Sequence, residues 1–227
     1  MDYDVISFDL DGTLVDTAGE IAAAANLALA AHGIEPRPLA EITALIGAGT
    51  RELVRKLLAQ CVQDQPSLAQ RVPFDALMAS FDEHYAQTTG TTAKPYAGCR
   101  EALVQLKQAG VRLACTTNKE LRHTERVLAV TGLEGFFDLV IGGDSLAEKK
   151  PHRSVLLHVM HTLQASAERT AHVGDSSIDV QAARNAGVSA WVVPYGYNGG
   201  QPIESANPDR VFAGLLDVAH HALAGAR

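Results

Sequence analysis

Short apolar runs recur along the chain, and they have the length and composition of strands buried on both faces. The runs are Val5–Phe8, Val111–Cys115, Leu139–Ile141, Ala171–Val173 and Ala190–Val193. Helical patterns lie between the later runs, at Arg100–Gln108, Leu121–Val130, Ser154–Leu163 and Ile178–Ala186. Strands that alternate with helices favour a parallel sheet covered on both faces. The sequence therefore predicts an α/β fold with a doubly wound, mainly parallel, Rossmann-like sheet.

The interval between residues 16 and 92 breaks this alternation, because it contains helical patterns and no clear strand. The candidate helices are Ile21–His32, Leu39–Leu45, Glu52–Gln60 and Phe74–Thr88. The first of them is rich in alanine, which has the highest helix propensity, and prolines separate the four segments. We therefore expect an inserted all-helical domain at residues 16–92, flanked by core segments at 1–15 and 93–227.

Composition and charge narrow the possible functions. The chain has 227 residues, of which 47% are hydrophobic and 20% charged, as in an ordinary globular protein. A formal net charge of -7 disfavours a nucleic-acid partner, since phosphate backbones are bound by clustered lysine and arginine. The first residues lack the pattern of a secretory signal, and no apolar stretch is long enough to span a bilayer. We expect a cytoplasmic protein with no membrane partner; its oligomeric state stays open.

The cysteines give no sign of a cross-link or a zinc site. Cys61, Cys99 and Cys115 are odd in number and far apart along the chain. Because Cys115 ends a predicted strand, we expect it to be a small buried thiol.

Polar side chains follow four of the predicted strands. The segments are Asp9–Thr13, Thr116–Lys119, Lys149–His152 and Gly174–Asp179. The carboxyl ends of parallel strands meet at one edge of an open sheet, where ligands bind. That edge would hold two pairs of carboxylates, hydroxyl and amide donors, and a lysine. A glycine at position 12 permits the sharp exit of the chain after the first pair.

Phosphoryl transfer to an aspartate requires this set of groups. An ionised carboxylate is the nucleophile, and a second carboxyl, kept protonated, donates to the leaving oxygen and later deprotonates water. A hard cation on oxygen ligands offsets the clustered negative charge. Fixed donors and a lysine stabilise the transferring group. The sequence therefore points to metal-dependent phosphoryl transfer at this edge.

Four motifs occur in a fixed order, and together they resemble the haloacid dehalogenase superfamily of phosphatases. The motifs are Asp9-Leu10-Asp11-Gly12-Thr13-Leu14, Thr117-Asn118, Lys150-Pro151 and Gly174-Asp175-Ser176-Ser177-Ile178-Asp179. The resemblance covers nearly the whole chain. It implies that the helical insert is a cap that closes over a small phosphate monoester.

The resemblance also implies a role for each residue of the first two motifs and for the lysine. Asp9 would be the nucleophile and form an aspartyl-phosphate. Asp11 would be the general acid and base. Thr117, Asn118 and Lys150 would bind the phosphoryl group.

A magnesium site is implied by the same resemblance. Asp175 would bind Mg²⁺ together with Asp9 and the backbone carbonyl of Asp11. Asp179 would lie behind these ligands or serve as an occasional ligand. We also expect Gly12 to contact the substrate.

Three further segments are similar to bacterial phosphoglycolate phosphatases, which implies hydrolysis of 2-phosphoglycolate to glycolate. They are Ile46–Arg51, Lys94–Gly98 and Pro194–Gly199. The chain departs from that pattern where Glu120 follows Lys119 and where Arg153 follows His152, since those enzymes often carry proline there. Neither change touches a catalytic carboxylate. Lys149, which precedes the lysine of the core motif, is expected to face solvent.

Substrate choice would depend on the insert, because the core motifs read only the phosphoryl group. The loop Ile46–Arg51 is glycine-rich and opens a helix at Thr50, whose free amides could receive an anion. Arg51 could then bind a substrate carboxylate, or it could face solvent as an ordinary helix residue. Lys119 and Arg122 are the alternatives for reading the substrate.

Three other functions compete with a phosphatase. A sugar phosphomutase of the same superfamily resembles residues 47–51, although Thr117-Asn118-Lys119 fits the phosphatases better. A haloacid dehalogenase lacks the second aspartate, because a halide leaves without a proton, so Asp11 argues against that activity. A non-catalytic binding protein is disfavoured by the intact carboxylates and lysine.

Overall fold

The computed structural model describes residues 2–224, and over that range it contains a six-stranded sheet and a two-stranded ribbon. The strands are β1 Val5–Phe8, β2 Val15–Asp16, β3 Lys94–Pro95, β4 Arg112–Thr116, β5 Leu139–Ile141, β6 Thr170–Gly174, β7 Ser189–Val192 and β8 Arg210–Val211. The large sheet has the order β5-β4-β1-β6-β7-β8 and all its neighbouring strands are parallel. Strands β2 and β3 pair in antiparallel fashion.

Ten α-helices lie within the described residues. They are α1 Ala18–Ala31, α2 Leu39–Thr43, α3 Thr50–Asp64, α4 Leu68–Arg71, α5 Phe74–Thr88, α6 Cys99–Gln108, α7 Leu121–Val130, α8 Ser154–Thr162, α9 Ser177–Ala186 and α10 Leu215–Leu223. Between residues 2 and 224, none of the helices combines the length and the apolar character needed to cross a membrane.

Helices cover both faces of the large sheet, because successive side chains of a strand point to opposite faces and both sets are buried. On β1, Ile6 and Phe8 join the buried cluster that also contains side chains of α6, α7 and α10. Val5 points to the other face and joins the cluster of α8 and α9. The predicted doubly wound α/β fold is confirmed, because buried side chains alternate between two helical layers.

The helices α1–α5 form a helical unit, residues 18–88, with its own buried core. Small alanines at positions 24, 25 and 28 are fully buried on α1 and let α5 approach closely, so that Phe81 and Tyr85 fill the interior. The chain leaves the sheet through β2 and returns through β3, so the antiparallel ribbon connects the unit to the core.

Some boundaries differ from the sequence predictions for local reasons. Val111 was expected to begin the second long strand, but its amide donates to the carbonyl of Leu106 and closes the end of α6. The strand therefore begins at Arg112. The ribbon and β8 were not predicted, because each strand is only two residues long and lacks an apolar run. The three cysteines are free and buried, and the prediction of a buried thiol at Cys115 is confirmed.

Candidate active site

The candidate site lies where β1, β4 and β6 end side by side. Asp9 follows β1, Thr117 follows β4 and Asp175 follows β6, so parallel pairing brings three distant motifs to one edge. Lys150 reaches the same point from the loop after β5 and is 3% exposed. The predicted core residues are therefore brought together.

Asp9 is held at the start of a tight turn. Its amide donates to the carbonyl of Val173 at 2.9 Å, and its Oδ1 accepts from the amide of Leu10 at 2.7 Å. The Nζ of Lys150 lies 3.0 Å from the same Oδ1. Both contacts fall on Oδ1, which leaves Oδ2 available for other chemistry.

Gly12 shapes this turn and does not line the cavity. Its φ is +83°, and a Cβ at this position would lie 2.4 Å from Oδ2 of Asp175. In this structure Gly12 lies against a carboxylate of the site, and its contact with substrate stays a prediction. Only glycine lets the turn after β1 pass so close to the loop after β6.

Lys150 is enclosed between two carboxylates. Its Nζ is 2.6 Å from Oδ1 of Asp179, in addition to its contact with Asp9. Burial alone would lower the pKa of Lys150, but Asp179 and Asp9 raise it above its ordinary value. The site therefore keeps a buried ammonium beside the candidate nucleophile.

Asp179 is a fixed partner of this lysine. Its Oδ1 faces Lys150 and Nε2 of His172, and its Oδ2 accepts from the amide and the hydroxyl of Ser176. Burial raises the pKa of Asp179, but Lys150 and His172 outweigh that effect and hold the pKa below its ordinary value. With both oxygens engaged, Asp179 is placed to position Lys150.

Behind Asp179 runs a buried hydrogen-bond chain that sequence reasoning missed. Nδ1 of His172 lies 3.1 Å from Oγ of Ser7, which lies 2.7 Å from Oγ1 of Thr116. An ionised carboxylate only accepts, so Nε2 of His172 must donate to Asp179 and Nδ1 must accept from Ser7. These three residues project from β6, β1 and β4 toward the α8 and α9 face, where apolar side chains would be expected. Polar residues at these otherwise apolar strand positions were the sequence signal for a buried hydrogen-bond chain.

Within residues 2–224, one group of three acidic side chains could hold a metal ion, namely Asp9, Asp175 and Asp179, whose ligand atoms lie within 4.8 Å of one another. Oδ1 of Asp175 accepts from Oγ1 of Thr13 at 2.7 Å. Burial, Asp179 and Asp9 raise the pKa of Asp175 well above its ordinary value. Burial, Asp179 and Asp11 likewise raise the pKa of Asp9, to about 7, against the opposing effect of Lys150. Three buried aspartates lie close together with one lysine, so negative charge is in excess when they are ionised. A divalent cation that prefers oxygen ligands, such as Mg²⁺, fits this cluster.

Asp11 faces away from Lys150 and meets a second lysine. Its Oδ1 accepts from Oγ1 of Thr17 at 2.7 Å and lies 2.5 Å from Nζ of Lys119. Burial alone would lower the pKa of Lys119, but Asp11 raises it above its ordinary value. The two aspartates of the first motif therefore have separate cationic partners.

The loop before α3 closes over the core from the helical unit. Nδ2 of Asn118 donates to the carbonyl of Gly47 at 3.0 Å and to that of Lys150 at 2.9 Å. Lys149 is exposed, as expected, and its Nζ also donates to the carbonyl of Ala48 at 2.6 Å, because the loop passes directly above it. A Cβ at Gly49 would lie 3.0 Å from the carbonyl oxygen of Asn118, so this approach requires glycine.

A cavity lies between the helical unit and the sheet edge. Its lining residues are Asp9, Asp11, Ile21, Ile46, Gly47, Gly49, Thr50, Leu53, Tyr85, Thr117, Asn118 and Lys119. Its volume is about 30 Å³, far smaller than a pocket for a drug-sized ligand. Catalytic candidates form its floor, and apolar side chains of the helical unit form much of its roof.

Arg51 does not reach this cavity. Its side chain is 69% exposed, lies 3.7 Å from Asp75 and stacks over the ring of Phe74 at 4.7 Å. The buried stripe of α3 runs through Thr50, Leu53, Val54, Leu57 and Cys61, which turns position 51 outward. In this structure Arg51 therefore has the position of its solvent-facing alternative, and its contact with substrate stays a prediction.

Comparison with known families agrees with this arrangement. Residues 6–193 match the family model of the haloacid dehalogenase-like hydrolases. The chain belongs to this family. The match spans β1 to the end of β7 and so includes every residue of the candidate site.

Curated relatives of this hydrolase carry a narrower name. The chain is 36% identical to the phosphoglycolate phosphatase of Thiobacillus denitrificans, over 94% of this chain and 93% of the relative. It is 40% identical to the plasmid-encoded phosphoglycolate phosphatase of Cupriavidus necator, over 86% and 82%. A crystal structure of a predicted phosphoglycolate phosphatase from Haemophilus somnus superposes with a TM-score of 0.90 at 28% identity, covering 96% of this chain and 97% of that one.

We predict that Mg²⁺ stabilises this hydrolase more strongly as the pH rises. The pKa of Asp9 is raised to about 7, so the metal-free fold is most stable with Asp9 protonated and loses that stability as the pH rises through about 7. Mg²⁺ binds the ionised form and removes this loss. At 100 times its Kd the ion should raise the melting temperature by on the order of 5–10 °C.

Thermal unfolding at several pH values between 6 and 8, with and without MgCl₂, measures this effect. Asp175→Asn should lose the response, whereas the exposed control Asp217→Asn should keep it. A melting temperature that ignores MgCl₂ throughout would contradict the assignment of the metal site.

We also predict that His172 stabilises the fold through its two hydrogen bonds. His172→Leu should lower the free energy of unfolding by about 2–4 kcal/mol, because it leaves buried groups on Asp179 and Ser7 without a partner. His172→Gln keeps a donor and an acceptor and should recover part of the loss. Denaturant unfolding, with the exposed His161→Leu as control, measures the difference; equal losses in the Leu and Gln variants would count against it.

Proposed function

We propose that this hydrolase is a Mg²⁺-dependent phosphatase of small phosphate monoesters, with 2-phosphoglycolate as its preferred substrate. The observation that carries the proposal is the pairing of Asp9, which lines the cavity, with the buried, charged Lys150 beneath it. The names of its curated relatives support the substrate.

In the first step a carboxylate oxygen of Asp9 attacks phosphorus. A new O–P bond forms to Asp9 while the bond from phosphorus to the ester oxygen breaks. Asp11, protonated at this stage, gives its proton to that oxygen, and the alcohol departs. Lys150, the hydroxyl of Thr117 and the backbone amide of Asn118 stabilise the transferring group, since the side-chain amide of Asn118 is already bonded to two carbonyls.

In the second step water hydrolyses the aspartyl-phosphate. Asp11, now ionised, takes a proton from water as the water oxygen attacks phosphorus. The bond between phosphorus and Asp9 breaks, which releases inorganic phosphate and restores the Asp9 carboxylate. Each residue returns to its starting state, so one proton leaves and re-enters Asp11 in each cycle.

Bound Mg²⁺ would offset the negative charge shared by the carboxylates and the phosphoryl oxygens. Asp9 and Asp175 would hold it with the Asp11 backbone carbonyl, because Asp179 already spends both oxygens on Lys150, His172 and Ser176. Asp179 therefore acts as a positioning residue in this proposal.

The helical insert, residues 16–92, would act as the cap. Its loop before α3 contacts Asn118 and Lys149 of the core, and its side chains form the roof of the cavity. Closure of such a lid excludes water from the reacting group. The ribbon of β2 and β3 carries both connections to the core and would be the hinge.

Asp9→Asn should abolish turnover and leave the fold intact, since the amide is nearly isosteric but a poor nucleophile. We expect phosphate release from 2-phosphoglycolate with MgCl₂ to fall by at least about 1,000-fold. The exposed control Asp217→Asn should match the wild type. Wild-type activity in Asp9→Asn would refute the mechanism.

The same assay separates hydrolysis from a sugar phosphomutase. A phosphatase releases phosphate without any sugar bisphosphate activator, whereas a mutase returns the phosphoryl group to a sugar. Absence of phosphate release from a broad panel of monoesters, together with isomerisation of a sugar phosphate, would replace the proposal by the mutase.

Asp11→Asn should slow substrates according to how much their leaving group needs a proton. Turnover of 2-phosphoglycolate should fall by about 100–10,000-fold, the usual range for a lost general acid. Turnover of p-nitrophenyl phosphate should fall much less, because its leaving group is stable as an anion. Equal losses on both substrates, measured by steady-state kinetics, would argue against the acid role of Asp11.

A further inference from the structure

Lys119 is the only lysine or arginine that lines the cavity within the part of the chain that the structure describes. Lys150 lies beneath Asp9, and Arg51 lies outside on the far face of α3. A substrate with a second negative charge would therefore meet one cation in this cavity, the ammonium of Lys119. The loop Ile46–Arg51 had suggested a different cation, Arg51.

The surroundings of Lys119 suit it to a second anion. Its side chain is 2% exposed, and its Nζ lies 2.5 Å from Asp11 and 5.4 Å from the ring centroid of Tyr85. An ammonium has three donors, and Asp11 takes one of them. The ion pair with Asp11 therefore leaves donors of this ammonium for a further acceptor in the cavity.

Tyr85 adds an unused donor beside this ammonium. It is fully buried and lines the cavity, and among the described residues no group accepts a hydrogen bond from its hydroxyl, which interacts with the ammonium of Lys119. Burial raises the pKa of Tyr85, so the hydroxyl stays protonated and can donate. A buried hydroxyl without a partner costs roughly 1–3 kcal/mol, which a bound acceptor would recover.

The rest of the roof makes these donors selective. Ile21, Ile46 and Leu53 are apolar and exclude water, so a charge near Lys119 interacts through a low dielectric. At the start of α3, where a substrate anion was first expected, the hydroxyl of Thr50 already donates to the carboxylate of Glu120. That negative charge opposes a second carboxylate at the helix terminus.

We propose that Lys119 and Tyr85 are the specificity-determining pair, and that they bind the second anionic group of a short substrate, such as the carboxylate of 2-phosphoglycolate. The phosphoryl group would rest on Asp9 and Thr117, only two residues before Lys119 in the same loop. On binding, the substrate carboxylate shares the ammonium with Asp11. The inference rests on the proposed phosphatase function and extends it to the choice of substrate.

Two substrates with one carbon skeleton test the pair. Ethyl phosphate has the two carbons of 2-phosphoglycolate and lacks its carboxylate. The quantity measured is the ratio of kcat/KM for 2-phosphoglycolate to kcat/KM for ethyl phosphate, with MgCl₂ present. Using a ratio cancels any common effect of a variant on Asp11 or on folding.

Lys119→Met should lower this ratio by about 10–100-fold, as expected for the loss of a charge-assisted hydrogen bond. Lys119→Arg keeps the charge and should retain most of the ratio. Tyr85→Phe removes only the hydroxyl and should lower the ratio by about 3–10-fold, chiefly through a higher KM for 2-phosphoglycolate.

The matched controls are Arg122→Met and Arg51→Met, which each remove one exposed cation near the site. Both should leave the ratio within about twofold. A fall in Arg51→Met with no change in Lys119→Met would overturn the proposal in favour of the loop arginine. Equal losses on both substrates in Lys119→Met would show that Lys119 acts only through Asp11, and would also overturn it.

The two proposals fail in different ways. If wild-type enzyme hydrolyses both substrates with equal efficiency, the phosphatase function stands and the specificity pair is refuted. If it hydrolyses neither with MgCl₂, the proposed function itself fails.

Discussion

A buried ammonium between two carboxylates holds the site together. Lys150 is almost inaccessible, and it remains charged because Asp9 and Asp179 both contact its Nζ. Removing water from three charges is costly, and the arrangement persists only when each charge is paired and hydrogen-bonded. The capping box of α9 and the chain through His172 meet that condition for Asp179. Secondary structure and catalytic geometry are therefore coupled at this point.

The same arrangement leaves the edge of the sheet short of positive charge. Asp9, Asp175 and Asp179 face one lysine, and burial opposes the ionised forms of Asp9 and Asp175. A divalent cation on oxygen ligands relieves this imbalance, and so does a protonated carboxyl. Metal affinity, proton affinity and fold stability are thus linked properties of one cluster.

The core and the helical unit contribute different recognition. The sheet edge supplies groups that suit any phosphoryl group, held by parallel pairing of distant strands. The helical unit adds an apolar roof and Tyr85, and it approaches the core through glycines at positions 47 and 49. Only the space between the two can distinguish one monoester from another. This division explains why family motifs predict the chemistry better than the substrate.

Strand and helix positions follow largely from the sequence, because a period of two or of 3.6 depends on which side chains are buried locally. Even the outward direction of Arg51 is readable in the stripe of Thr50, Leu53 and Leu57. The two-residue strands carry no such period, and pairing with a neighbour creates them.

By itself the sequence determined the α/β class, the helical insert and the edge at which Asp9, Asp11 and Asp175 would collect. Only the tertiary structure decided which partner each charge has. The hydrogen bond between Ser7 and His172 joins residues 165 positions apart, and the bond between Lys119 and Asp11 joins residues 108 positions apart. Periodicity tells which face of an element is buried, but not what that face meets. Which side chains of two elements come into contact depends on how the whole chain packs, and substrate specificity depends on those contacts.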